Sequence, residues 1–381
     1  MDTRTSKLYD INMISTWNER CGIAYYTSEL TKELAKYVNV NIVKIKVSKF
    51  PHRRFRYFLN LAKEAKKNCS LIHIQHEFAF FEGGLFKKYF NYINMVPFFI
   101  RLAYPRRIKT VVTLHTIPDW DKPTSFISKL WRRFLLRLIF NCADYIIVHN
   151  DVAKKRLMKL GAKEKQLYVI PHGTLEPIAP LNKVKCKEEL NLMGKTVITI
   201  FGFIYPSKGY EIALKALKDL PNNTVLLIAG ALRSKEYEEY YENLKKIVME
   251  FCLNDRVIFY GFVPDDKIPI IFGATDIGLL PYTQTTESGV LHLLLAYGVP
   301  TLTSDLEPFR EIRSSWNCIE IFKAGSSEDL AKKVIWLMEN EEARMQLSKN
   351  AREFCLETSW KNIGKKHLTL YSILLENKLK K

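Results

Sequence analysis

Short β-rich apolar runs alternate with amphipathic stretches along nearly the whole chain, and this alternation constrains the fold more than any other feature. In the first half the apolar runs are residues 8–15, 40–47, 71–75, 110–114, 145–148 and 167–170. Helical periodicity lies between them at 23–37, 55–67, 125–141 and 152–160. In the second half the runs are 197–201, 224–229, 257–260, 277–280, 300–303 and 319–322. Helical patterns there fall at 210–220, 235–251, 266–272, 291–297, 330–339 and 343–356. Strands separated by helices of this length make βαβ units, so an α/β fold with parallel sheets is expected. Twelve strands are too many for one compact sheet, and two doubly wound domains follow. The break falls in 171–195, which holds Pro171, Pro177 and Pro180 and no clean periodicity. A last helical pattern, 360–377, carries Ile363, His367, Leu368, Leu370, Tyr371 and Leu374 along one side. Its basic balance matches the first half, so it is expected to return and pack on the N-terminal domain.

The length of 381 residues suits two domains, and 47% hydrophobic with 26% charged residues is the composition of a soluble globular protein. The opening MDTRTSKLYDINMIS shows no apolar core or cleavage pattern, so no signal peptide is expected. Apolar stretches are broken by charge or proline before they reach spanning length. Seven scattered cysteines without a CxxC pair argue for reduced thiols in a cytoplasmic setting, and against a disulfide framework or a zinc site. The net charge of +18 is uneven: +17 over residues 1–178, −4 over 179–360 and +5 over 361–381. A basic face of this kind attracts polyanions, either nucleic acid or an anionic membrane surface. The aromatic and basic stretch from Phe78 to Arg107 fits an interfacial membrane helix and equally a core helix followed by a solvated loop. Pro97 argues against one long helix there.

Unusual residues fall where strands end, the edge at which open α/β sheets hold ligands. The segment GFIYPSKG, 202–209, follows one strand and opens a helix, which places Lys208 at a strand–loop–helix mouth. Backbone amides and an ammonium there make an anion site. The next strand runs into AGALRSK with Arg233 and Lys235. Cations at two consecutive junctions suggest a bound diphosphate, although Lys208 is also readable as one solvated lysine among many. Cys21-Gly22 opens the first helix, where the glycine serves either a ligand's approach or a turn. His76, His115, His149 and His172 follow four strands of the first domain. Each alone reads as a structural polar group; together they could bond or polarise a sugar hydroxyl. Their spacing is not that of a metal site. Ser288-Gly289 again opens a helix, and Glu287 either meets a sugar or ribose hydroxyl or caps the helix dipole.

With these residues in view, the chain resembles the family-4 glycosyltransferases of the two-Rossmann-domain GT-B architecture over nearly its whole length. The resemblance rests on order and spacing. The motifs are CGIA at 21–24, HEF at 76–78, TLHT at 113–116, VHN at 148–150 and IPHG at 170–173. Then come the G-F-x(4)-K-G loop at 202–209, GFVPDDKI at 261–268, D-x-x-x-L-P-Y at 276–282 and SGVL…AYGVP at 288–300. Ser359-Trp360 matches the family's return to the first domain. The resemblance implies an acceptor domain at 1–175 plus 360–381 and a donor domain at 176–359. It implies a retaining hexosyltransferase that takes a nucleotide-diphosphate sugar as co-substrate, with no metal or other cofactor required. Lys208 would bind the donor diphosphate, helped by amides of Ser288, Gly289, Val290 and Leu291. Gly22 would approach the same diphosphate, and Phe262 and Val263 would flank the base. His115 would stand beside the donor sugar, with His76, Glu77 and His149 towards the acceptor and Glu77 among the catalytic groups.

Two departures from the family stand out. Phe203 occupies the position of the arginine that often accompanies the phosphate-loop lysine, and Arg233 is a candidate replacement. The family's two glutamates eight apart are incomplete. Counted from Glu287 the partner position is Leu295; counted back from Gly298 the two positions are Thr285 and Leu293. The expected acceptor is a lipid-linked or envelope glycan, reached by peripheral docking of the basic domain on the cytoplasmic face of an anionic membrane. No nucleic-acid partner is expected, since neither an RNP-type nor a helix–turn–helix signature is present. The alternatives are another GT-B enzyme, an epimerase or a phosphorylase, and a non-catalytic binding protein that keeps the fold.

Overall fold

The computed structural model describes residues 9–19, 21–46, 55–81, 92–105, 108–117, 126–232, 234–285 and 287–379. The chain divides into two compact units. Met1–Gly173 and Trp360–Lys381 form one, and Thr174–Ser359 forms the other. Each is built on a parallel sheet of six strands among the described residues.

The N-terminal unit has strands β1 (Asp10–Ser15), β2 (Asn39–Lys44), β3 (Leu71–His76), β4 (Lys109–Leu114), β5 (Tyr145–Val148) and β6 (Leu167–Val169), in the order β2-β1-β3-β4-β5-β6. β3 is buried at every residue, which follows from its central place between two helical layers. Its alternation sorts two kinds of face. Ile72 and Ile74 join the aromatic core of Phe58, Phe81, Phe98 and Phe99. His73 and Gln75 point the other way, level with Val111 and Thr113 of β4. The helix Trp360–Leu379 lies on that polar side and packs on the helix Gly22–Leu34. The approach is close: a Cβ at Gly364 would stand 2.8 Å from the Cβ of Glu33.

The C-terminal unit has β7 (Thr196–Phe201), β8 (Thr224–Ala229), β9 (Val257–Phe259), β10 (Ile277–Leu280), β11 (Thr301–Ser304) and β12 (Glu320–Phe322), in the order β12-β11-β10-β7-β8-β9. Two separate apolar clusters, one around Ile198, Ile200 and Leu214 and one around Val197, Leu280 and Leu294, line its two faces. The strand order reverses between β7 and β10, so the loops after these strands leave in opposite directions and open a crevice. In the N-terminal unit the reversal lies between β1 and β3.

The phenylalanines of the stretch from Phe78 to Arg107 that are described are core, whereas Tyr104 is exposed. Phe78, Phe80, Phe81, Phe98 and Phe99 are buried, and Met95–Ala103 is a nine-residue helix with Pro97 in its first turn, where no helical N–H is lost. Lys87, Lys88, Arg106 and Arg107 lie outside the described residues. No described helix is long and apolar enough to cross a membrane.

Candidate functional site

In the C-terminal unit the crevice between β7 and β10 is shaped by glycines. Gly202 has φ +102°, and a Cβ at Gly230 would lie 1.8 Å from the Gly202 carbonyl oxygen. Gly209 has φ +70°, and a Cβ there would lie 1.9 Å from the Pro281 carbonyl oxygen. A side chain at either of the last two positions would collide with backbone, so the loop after β7 closes onto the loops after β8 and β10 only with glycine there. Thr283 N donates to Ser207 O at 3.0 Å and continues that contact.

The closure holds Lys208 inward, with 6% of its surface exposed. Its Nζ donates to the Tyr282 hydroxyl and lies 3.9 Å from the centre of the Tyr282 ring and 5.6 Å from that of Tyr205. Burial raises the Tyr282 phenol above its ordinary range, so the hydroxyl stays protonated and meets the ammonium as a dipole. The ammonium thus lodges among a hydroxyl and two ring faces.

Beside it the helix Gly289–Ala296 begins. Ser288 Oγ accepts from Leu291 N at 3.2 Å. The Glu287 carboxylate turns onto its own helix end, taking Ser288 N at 2.9 Å and His292 Nε2 at 2.9 Å. This is the capping geometry that the sequence left open for Glu287. The amides of Gly289 and Val290 have no hydrogen-bond partner among the described residues, and a Cβ at Gly289 would meet nothing within 4 Å. Leu291 is core, Val263 is core, and Phe262 projects with 54% exposure. Val290 packs against Gly202. Arg233 lies outside the described residues.

In the N-terminal unit three of the four strand-end histidines converge and one does not. Tyr26, from the helix Gly22–Leu34, sits among His115, His149, His172 and Trp360, with ring centres 4.7, 5.4, 5.1 and 5.0 Å away. His149 Nδ1 donates to Ile170 O at 3.1 Å, since a carbonyl only accepts. His149 Nε2 lies 3.2 Å from His115 Nδ1. His115 Nε2 faces the side-chain amide of Gln75 at 2.8 Å. Burial first, then the neighbouring histidines, push His115 well below the ordinary histidine pKa. The chain continues behind Gln75. His73 bonds Tyr371 through Nδ1 at 2.6 Å and Thr113 through Nε2 at 2.8 Å, and burial keeps it neutral as well.

His76 takes the opposite face of the sheet. It stacks on Phe81 at 5.3 Å and meets Phe78 edge-on at 4.7 Å. Neither ring nitrogen has a partner among the described residues, and burial pushes its pKa down to about 3. Glu77, one residue on, is partly exposed and accepts from Thr116 Oγ1 at 2.6 Å, which ties the ends of β3 and β4. At Gly22 the helix is capped by Cys21 Sγ, which accepts from Ala24 N at 3.3 Å. A Cβ at Gly22 would meet nothing within 4 Å, so packing within the unit does not require the glycine.

Tyr26, His73, Gln75, Tyr282, His292 and Trp360 were not singled out by sequence as members of these clusters. His73 and Gln75 carried a signal: two polar residues alternating inside an otherwise apolar strand mark a polar inner face. The aromatic partners carried none, because helices far apart in sequence supply them. Two cavities, of about 550 Å³ beside Asp276 and Pro300 and about 820 Å³ beside Asp10 and Asn39, lie at the amino edges of the sheets, opposite these clusters. No group of three or more His, Cys, Asp or Glu among the described residues is arranged to hold a metal ion.

Two six-stranded parallel sheets of this topology define a two-Rossmann-domain architecture. Residues 22–174 match the family model Glycosyltransferase Family 4, and residues 183–354 match Glycosyl transferases group 1. The chain belongs to this family: it is a GT-B glycosyltransferase that moves a sugar from a nucleotide sugar. It is similar to an uncharacterized glycosyltransferase of Methanocaldococcus jannaschii, 25% identical over 93% of this chain and 95% of that one. It is also similar to the N,N'-diacetylbacillosaminyl-diphospho-undecaprenol alpha-1,3-N-acetylgalactosaminyltransferase of Campylobacter jejuni, 25% identical over 64% of each chain. Among solved structures, Anabaena HepE in complex with UDP superposes with a TM-score of 0.77 at 17% identity, covering 95% of this chain and 99% of that one.

Proposed function

We propose that the chain is a retaining transferase. Residues 176–359 hold the nucleotide-diphosphate sugar, and residues 1–175 with 360–381 receive a lipid-linked or envelope glycan as acceptor. The observation that carries this is Lys208, buried between Tyr282 and Tyr205 beside the open amides of Gly289 and Val290. As the donor's glycosidic bond breaks, negative charge gathers on the departing diphosphate. A preorganised ammonium and two helix amides stabilise that charge without reorganising. His115, held neutral and fixed in orientation through Gln75 and His149, stands beside the sugar. The peripheral membrane setting follows from the basic N-terminal half, and the undecaprenol-linked substrate named for the Campylobacter jejuni relative supports a lipid-linked acceptor.

Thermal unfolding against UDP, GDP, dTDP and ADP tests the donor half of this reading. UDP heads the panel because the HepE structure contains it. One nucleotide is expected to raise the unfolding temperature of the wild type and leave Lys208→Ala unmoved. If no nucleotide stabilises the wild type at concentrations well above millimolar, the donor assignment fails.

A further inference from the structure

We propose that the outward face of the helix Phe126–Cys142 is where this protein docks on an anionic lipid bilayer; the inference rests on the membrane setting given above and names its surface. The helix buries Leu135, Leu136, Ile139 and Cys142 against the N-terminal core. Its opposite side is apolar and uncovered. Phe126 is 75% exposed, Ile127 53%, Leu130 51% and Phe134 41%. Residues at i, i+4 and i+8 share one face of a helix, so Phe126, Leu130 and Phe134 form a stripe, with Ile127 beside it.

Lys129, Arg133 and Arg137 repeat at the same four-residue interval and flank that stripe. None of the three makes an ion pair among the described residues. The helix FISKLWRRFLLRLIFNC contains no acidic residue. Trp131 serves a different purpose: it is partly buried, packs on the core and stacks on Phe134 at 5.5 Å, which fixes the base of the stripe.

Large aromatic and aliphatic side chains beside cations that have no ion pair among the described residues make a surface that settles at the headgroup level of an anionic membrane. A second copy of the chain is a poor occupant, because a two-fold contact would set one row of cations against the same row. Nucleic acid would use the cations but not Phe126, Ile127 and Leu130 together. The stretch before Arg107 is the poorer candidate, because its described phenylalanines are spent in the core.

The test is co-sedimentation of the full chain with vesicles of phosphatidylglycerol and phosphatidylcholine in equal parts, and with phosphatidylcholine alone. Two triple variants are compared with wild type: Phe126→Ser/Leu130→Ser/Phe134→Ser and Lys129→Gln/Arg133→Gln/Arg137→Gln. All six positions are exposed, so unfolding temperature and its response to nucleotide should match wild type. The wild type is expected to sediment with the anionic vesicles only. Each variant should partition at least about tenfold less, and residual binding of the serine variant should vanish in about 0.5 M salt. If both variants sediment like wild type, this face is not the docking surface and the membrane setting stands without it. If the wild type stays in the supernatant, both ideas fail, while the nucleotide response still reports the donor site. A wild-type dimer in light scattering that the serine variant dissolves would assign the face to a second copy and overturn the proposal.

Discussion

The glycine–lysine loop of the C-terminal unit and the histidine cluster of the N-terminal unit are built in opposite ways. The loop is made by backbone: Gly202, Gly209 and Gly230 allow three strand ends to close, and Lys208 is carried inward by that closure. The cluster is made by side chains from six separate stretches, with Tyr26, Gln75, His115, His149, His172 and Trp360 meeting only after the unit has folded. A backbone-built site fails when a methyl group is added. A side-chain-built site loses one hydrogen bond at a time.

The largest effect expected is therefore at the glycines. Gly209→Ala sets a Cβ 1.9 Å from the Pro281 carbonyl oxygen at a left-handed φ, and Gly230→Ala sets one 1.8 Å from the Gly202 oxygen. Each should destabilise the C-terminal unit by about 3 kcal/mol or more, read as a fall in the urea midpoint. Gly22→Ala and Gly289→Ala, where a Cβ meets nothing, should leave stability within about 0.5 kcal/mol. If all four variants unfold alike, the contrast between the two kinds of site is wrong.

Next comes turnover. Lys208→Ala should lower kcat by about a hundredfold or more, the scale of removing one preorganised partner of developing charge. Tyr282→Phe keeps the ring under the ammonium and removes only the hydroxyl, so its loss should be about tenfold or less. Equal losses would mean that the hydroxyl itself, rather than the ammonium, meets the reacting groups.

The histidine relay predicts a third, smaller effect. His149→Ala removes the partner of His115 Nδ1 and the donor to Ile170 O together. Two buried polar groups left without partners should cost about 1–3 kcal/mol. His172→Ala removes a hydrogen bond to the adjacent Gly173 O and ring contacts with Tyr26 and Trp360, ties more local than the His149 relay, and should cost less. Urea midpoints of the two variants decide the order, and the reverse order would dismiss the relay as the cluster's main tie.

The same contrast explains what the sequence made legible. Eleven of the twelve strands lie within two residues of the apolar runs and β2 ends three residues before its run, because a buried parallel strand is a short continuous apolar stretch and says so locally. The glycine–lysine loop at 202–209 was legible because its glycines and lysine are adjacent in sequence. Two helices were not. Lys183–Glu189 hides in a stretch read as a proline-rich break, and Glu307–Trp316 buries only Phe309, too little for a periodic signal. The strand-end histidines were placed at the right edge, yet their faces were not separable: the sidedness of His76 depends on the register of β3, which only the finished sheet fixes.

His76 gives the smallest effect at neutral pH and the sharpest test of that sidedness. Its pKa falls from an ordinary value near 6.5 to about 3 because burial penalises the charged ring. The unfolded chain takes up a proton near 6.5 that the folded chain refuses until about 3. The stability it contributes is therefore whole above the first value and is lost as pH falls from there towards the second. The slope is about 1.4 kcal/mol per pH unit for one proton. His76→Phe, set between Phe81 and Phe78, removes that proton and two nitrogens without partners among the described residues. Its stability should match wild type within about 1 kcal/mol at neutral pH, and its lead should grow on acidification. Wild type keeps the slopes of His73, His115 and His367, which are also held neutral by burial, so the comparison is a difference of one proton rather than a flat line. Urea unfolding near pH 7.5 and pH 5 measures it. Identical slopes in the two proteins would mean that His76 charges inside the fold, and it would then belong with the polar cluster on the far side of the sheet rather than with the aromatic core.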